Sequence, residues 1–135
     1  MPFKKPMKMV YRLLYHGLIL DDIHVIILQG KGRAFCSGYD MSYSSGPRPT
    51  WGSQAMPWDP VVDYQLMNGI SQCWMDVWRS LKPVICKVQG YAVGGGSDIA
   101  LCCDIIIMAD DAKIGYPPAR VWGCPTTAMW IYRYF

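Results

Sequence analysis

The stretch Pro83 to Ala109, PVICKVQGYAVGGGSDIALCCDIIIMA, decides how this chain is read. It opens on one short apolar run, PVICKV, and closes on another, DIIIMA from Asp104. Runs of that length, rich in β-branched residues, predict strands. Between them GGSDIALCC predicts a helix that begins at the glycines. Glycine is costly inside regular structure and useful where the backbone takes a positive φ or approaches something closely. A triplet between a strand and a helix therefore predicts a ligand against the main chain.

Upstream, Asp21 and Asp22 precede IHVIIL, Ile23 to Leu28, which reads as a buried strand ended by Gly30. Ser42 to Pro60 is rich in Ser, Gly and Pro and reads as a loop, of a length used for lids and binding loops as well as for filler. Val62, Leu66, Ile70, Cys73, Trp74, Val77 and Leu81 then recur at helical spacing, with Asp59 or Pro60 as the start and Pro83 as the limit. Trp74 and Trp78 on that face read as core packing. Strands separated by helices predict an α/β fold with parallel pairing and right-handed connections.

Composition narrows the function classes. A chain of 135 residues, 52% hydrophobic, supports one globular core or a piece of one. Thirteen basic against ten acidic residues give a net charge of +3, scattered along the chain, which argues against nucleic acid as a partner. The six cysteines (Cys36, Cys73, Cys86, Cys102, Cys103, Cys124) form no CxxC pair and lie mostly in apolar runs. They read as buried free thiols in a reducing compartment, with a cytoplasmic location as the default. The first twenty residues place lysines ahead of an apolar stretch, but Arg12 and His16 interrupt it and no small-residue cleavage site follows. No run is long enough to span a membrane.

Two predicted strand ends carry glycine turns: GRAFCSGYDM, Gly32 to Met41, and GYAVGGGSD, Gly90 to Asp98. In open parallel sheets ligands collect where strand carboxyl ends meet helix amino ends, because free N–H groups and the helix dipole point there. Two such turns can aim two N–H groups at one oxygen, which is an oxyanion hole. The glycine spacing does not fit GxGxxG, and no Gly-Lys-Ser or Gly-Lys-Thr ending suits a nucleotide phosphate. The histidines, His16 and His24, both lie upstream, and there is no GxSxG for a serine nucleophile. No His, Cys and carboxylate cluster has metal-ligand spacing.

Both turns, in order, together with KPVICKVQGYAVGGGSDIALCCDIIIMADDAKIGYPPARVWGCP, resemble the crotonase superfamily of enoyl-CoA hydratases and isomerases. The resemblance runs from Asp21 to about Tyr132, apart from the loop. It implies a crotonase-like ββα spiral α/β core over residues 23–135, incomplete at both ends, after a divergent segment 1–22. It also implies an acyl-CoA thioester as substrate, no tightly bound cofactor beyond the coenzyme A of that substrate, and a homo-oligomer, trimer or hexamer, when complete. In that family two backbone amides hold the thioester oxygen as an enolate; they correspond here to Tyr39 and Gly95. The turns around them (Arg33, Cys36, Ser37, Gly38, Asp40, Met41, Gly94, Gly96) correspond to the coenzyme A contacts, with Arg33 suited to a phosphate by charge. Tight-turn geometry is an equally simple use for Cys36 and Ser37; for the triplet, close strand–helix packing is the lesser alternative, since glycine runs without a ligand are costly.

The resemblance also has departures. The family's first acid corresponds to Asp98, one methylene shorter than the usual glutamate, and a carboxylate in a first helical turn is also favourable for local reasons. The second acid's position in IGYPPAR is Pro118, which carries no proton. Tyr116, Arg120, Asp110 and Asp111 are the nearby polar groups, the two aspartates reading as a solvated turn. General acid–base catalysis needs a titratable group in reach, so the sequence leaves two functions open: a hydratase or isomerase, and a non-catalytic acyl-CoA-binding or assembly subunit or inactive fragment.

Overall fold

The two apolar runs that flank the glycines become adjacent strands of one sheet. The computed structural model describes residues 22–38, 57–117, 119–122 and 129. The elements, in order, are β1 (Ile26–Gln29), α1 (Pro60–Trp78), β2 (Val84–Val88), β3 (Tyr91–Val93), α2 (Gly95–Cys102), β4 (Ile105–Met108), β5 (Lys113–Gly115) and α3 (Ala119–Trp122). β2 lies between β1 and β4, and both pairings are parallel. β3 and β5 pair in parallel as a separate two-stranded sheet. The expected α/β architecture with parallel strands is what forms.

β2 is the spine of the core: Val84, Cys86 and Val88 alternate inward and are buried, while Lys87 faces out. Trp74 and Val77 of α1 and Ala100, Leu101 and Cys102 of α2 pack in the same cluster. α1 starts where the sequence indicated, with Pro60 in its first turn and the Asp59 carboxylate accepting from the Val61 N–H at 2.9 Å.

Its other end corrects the expectation. The helix stops at Trp78, because the Ser80 hydroxyl donates to the Lys82 carbonyl at 2.7 Å and accepts from the Lys82 N–H at 3.2 Å, a local turn that competes with another helical turn. Leu81 is consequently 96% exposed. Trp78 at 43% and Val62 at 44% are also outside the core that the spacing assigned them. Side chains of Leu66 and Ile70 lie outside the described residues, as does most of the predicted loop, 39–56.

The strand boundaries also shift. The first strand runs Ile26–Gln29 rather than Ile23–Leu28 and is only half-buried, with Ile27 65% exposed. β3, β5 and α3 were not expected as elements. The five cysteines described are all free as expected; Cys86, Cys102 and Cys103 are buried, whereas Cys36 and Cys73 are only half-buried. A hydrogen bond with Cys86, then burial, pushes the Cys103 thiol far above its ordinary value. Burial also raises the Cys73 thiol, with the Asp76 charge adding to it. No helix among the described residues is long and apolar enough to cross a membrane.

Candidate functional site

Beyond Val88 the chain turns through Gln89 and Gly90 into β3. Gly90 takes φ +61°, and a Cβ there would run into the Arg33 carbonyl oxygen. The first glycine turn is therefore pressed onto the second strand's exit. Cys36 completes the contact: its N–H donates to the Tyr91 carbonyl at 2.9 Å, and its own carbonyl accepts from the Val93 N–H at 3.0 Å. This is an isolated parallel bridge to Ala92. Two residues later Gly38 adopts φ +101°, with a Cβ position only 2.9 Å from the Val93 carbonyl oxygen. A side chain there would be both strained and obstructed.

The second turn is fixed as tightly. Gly94 sits at φ 55° and ψ −123° as the cap of α2. Its N–H donates to the Gly115 carbonyl of β5 at 3.0 Å. Its carbonyl accepts from the Ser97 hydroxyl at 2.6 Å, the Ser97 N–H at 2.9 Å and the Asp98 N–H at 3.1 Å. Gly96 faces the first turn: a Cβ on it would stand 2.6 Å from Cys36 Cβ and 2.9 Å from the Cys36 carbonyl oxygen. Conformation thus requires Gly94 and packing requires Gly96.

Gly95 is the first helical residue. Its N–H precedes the i→i−4 ladder and lies at the positive end of the helix. The chemistry available there is donation to a developing negative charge, in surroundings where residues 94 to 98 are all buried.

The structure places Cys36 against Gly96, and Gly38 against Val93 and Gly94. Arg33 and Ser37 are exposed. Tyr39, Asp40, Met41 and Pro118 lie outside the described residues. Asp98 is in the first turn of α2 and fully buried. Asp110 and Asp111 form an exposed turn after β4, the solvated turn that was expected, and Arg120 is exposed. Tyr116 follows β5 directly; its hydroxyl is buried with no hydrogen-bond partner among the described residues. Among those residues no group of three His, Cys, Asp or Glu could hold a metal.

Sequence reasoning passed over two polar side chains at this junction. Ser97 ties the helix start back to Gly94, and its serine three residues after a capping glycine was a legible sign. Gln89 donates through Nε2 to the carbonyls of Gly30 at 2.7 Å and Gly32 at 3.1 Å, 59 and 57 residues away. No local pattern announces a contact of that range.

Known proteins are similar to this chain in sequence and in fold. The (E)-benzylidenesuccinyl-CoA hydratase of Thauera aromatica is 39% identical over 101 residues, which is 74% of this chain and 35% of that one. A probable enoyl-CoA hydratase of Mycobacterium bovis is 30% identical over 108 residues, 77% of this chain and 35% of the relative. The crystal structure of an enoyl-CoA hydratase from Mycobacterium smegmatis superposes with a TM-score of 0.80 at 38% identity, covering 98% of this chain and 47% of that one. An enoyl-CoA hydratase/isomerase from Xanthobacter autotrophicus, at 22% identity and a TM-score of 0.77, shares the fold. The chain thus spans about a third of the length of these curated relatives, at 35% of each. The sequence model of the enoyl-CoA hydratase/isomerase family matches residues 19–133, and with the two glycine turns joined at the start of α2 the chain belongs to that family and has the crotonase fold.

Proposed function

We propose that the protein binds an acyl-CoA thioester at the junction of the two glycine turns and stabilises its enolate through backbone N–H groups. The observation that carries this is the seating of Gly38 on Val93 and Gly94, directly beside the first N–H of α2. Gly95 is one donor, and Tyr39, one residue past Gly38, is the other. In hydration, the water oxygen bonds to the β-carbon while the π electrons of the C=C bond move through the α-carbon onto the thioester oxygen. The two amides carry that charge until the α-carbon takes a proton, the net change being the addition of one water. Asp98 is the carboxylate assigned to accept the proton of the attacking water. Arg33 and the residues Cys36 to Met41 contact the coenzyme A part. The free thiols support a reducing, cytoplasmic setting, and the assembly proposed is a homo-oligomer.

Pro118 at the second acid's position favours a second reading, a subunit that binds acyl-CoA without turning it over. One experiment separates the two: titrate the protein with crotonyl-CoA and follow loss of the enoyl absorbance in the same samples. Turnover that falls at least a hundredfold in Gly95→Pro supports the enzyme, since proline is tolerated at a first helical position and removes only the donor. Binding with no turnover supports the non-catalytic subunit, and no binding sinks both.

A further inference from the structure

Gln89 sits between the two turns without belonging to either. Its side-chain amide holds the start of the first turn, giving both Nε2 protons to backbone carbonyls, Gly30 at 2.7 Å and Gly32 at 3.1 Å. Its own carbonyl accepts the Phe35 N–H at 2.9 Å, which holds the later part of the same turn. Gly90, the next residue, lets Arg33 and Ala34 lie flat against it. The end of β2 is thus tied to the segment 30–35 by the Gln89 side chain, by the Gln89 carbonyl and by the close approach of Gly90 to Arg33 and Ala34. The Oε1 of Gln89 is buried and has no hydrogen-bond partner among the described residues.

We propose that Gln89 is a positioning residue: it touches no substrate and sets where the first turn, through Gly38, stands relative to the Gly95 N–H. The assignment rests on the acyl-CoA reading above. An oxyanion site works only when both donors reach the same oxygen within a few tenths of an ångström, so the clamp on the loop governs carbonyl polarisation. Gln89→Glu keeps the shape and removes the donors, setting a carboxylate against two carbonyl oxygens. Gln89→Met removes the donors and also the unpaired oxygen.

The test is difference infrared spectroscopy of crotonyl-CoA labelled with ¹³C at the thioester carbonyl, bound to each protein, together with its dissociation constant. Only folded, occupied sites give the signal, so a general loss of stability does not imitate the effect. In the natural protein the carbonyl stretch moves to lower wavenumber on binding. In both variants most of that shift is lost and affinity weakens by about tenfold, the equivalent of roughly one hydrogen bond. A full shift retained in Gln89→Met overturns the assignment while leaving the acyl-CoA reading intact. A Gln89→Met chain that does not fold also overturns it, because the amide then serves the core as a whole. No shift in the natural protein removes the acyl-CoA reading and the assignment with it.

Discussion

The two ends of α2 are built on opposite plans. At its carboxyl end the polar groups satisfy one another: Asp104 donates its N–H to the Val84 carbonyl at 2.9 Å and accepts the Val84 N–H on Oδ2 at 2.7 Å. Around that reciprocal pair pack the buried thiols of Cys86, Cys102 and Cys103. At its amino end the cap offers no side-chain hydrogen bond to the first N–H groups, the backbone enters at a positive φ, and the buried Tyr116 hydroxyl has no partner among the described residues. One end is finished by the protein. The other keeps donors available in a place closed to water, which is costly in a structural cap and useful in a ligand site. Eight residues of helix separate the two plans, so the contrast lies in local chemistry rather than in different parts of the fold.

The strongest way to break the contrast is to fill the amino end. Gly96→Val places a side chain where Cys36 Cβ and its carbonyl already stand, 2.6 and 2.9 Å from the new Cβ. Backbone on both sides resists the shift, and the expected loss of stability is about 3 kcal/mol, at the upper end of ordinary overpacking. A denaturant midpoint measures it. The same variant separates the two turns and so abolishes acyl-CoA binding in whatever fraction still folds. An unchanged midpoint would mean that the turns are not in contact.

That junction was also the most legible part of the chain. Glycine restricts what a backbone can do by local rules, so the triplet announced the start of α2 and GRAFCSGYDM announced a turn that faces it. The second sheet was not legible: YAV is three residues between glycines and KIG contains one, and Tyr, Val and Ile favour strands but runs so short announce none. They are strands because parallel pairing of Ala92 with Ile114 makes them so. The end of α1 failed for a related reason. Trp78 and Leu81 continue the apolar period, yet a single Ser80 hydroxyl stops the helix. Asp98 was read correctly as an acid in a first turn, while its complete burial depends on packing that no spacing reveals.

A second prediction sharpens the contrast from the finished end. The hydrogen bond with Cys86 and then burial hold the Cys103 thiol protonated well above its ordinary value of 9.0. The folded chain therefore keeps a proton that the unfolded chain releases as pH rises past about 9. With more protons bound in the folded state, unfolding free energy falls with rising pH, fully present below that value and lost above it. The slope contributed by one such thiol approaches ~1.4 kcal/mol per pH unit. Denaturant unfolding at pH 8 to 10.5 measures it, and Cys103→Ala removes one thiol's share of the slope. A stability that is flat across that range would show the thiol ionising equally in both states.

The smallest effect expected is the one that bears most directly on why the amino end is unfinished. The Tyr116 hydroxyl, one residue beyond Gly115, is buried and without a hydrogen-bond partner among the described residues, and the Gly115 carbonyl holds the Gly94 N–H at 3.0 Å. An unpaired buried hydroxyl costs roughly 1 kcal/mol or more, so Tyr116→Phe, which deletes the oxygen and keeps the ring, raises stability by about that amount in a thermal or denaturant melt. Most changes to a buried aromatic do the opposite. A gain in stability accompanied by weaker turnover of crotonyl-CoA places the hydroxyl among the groups kept for a ligand. A gain with no functional loss makes it an accident of packing, and the contrast between the two ends then rests on the glycines alone. A loss of stability would mean that the hydroxyl has a partner in solution, and that the amino end of α2 is more nearly finished than its geometry indicates.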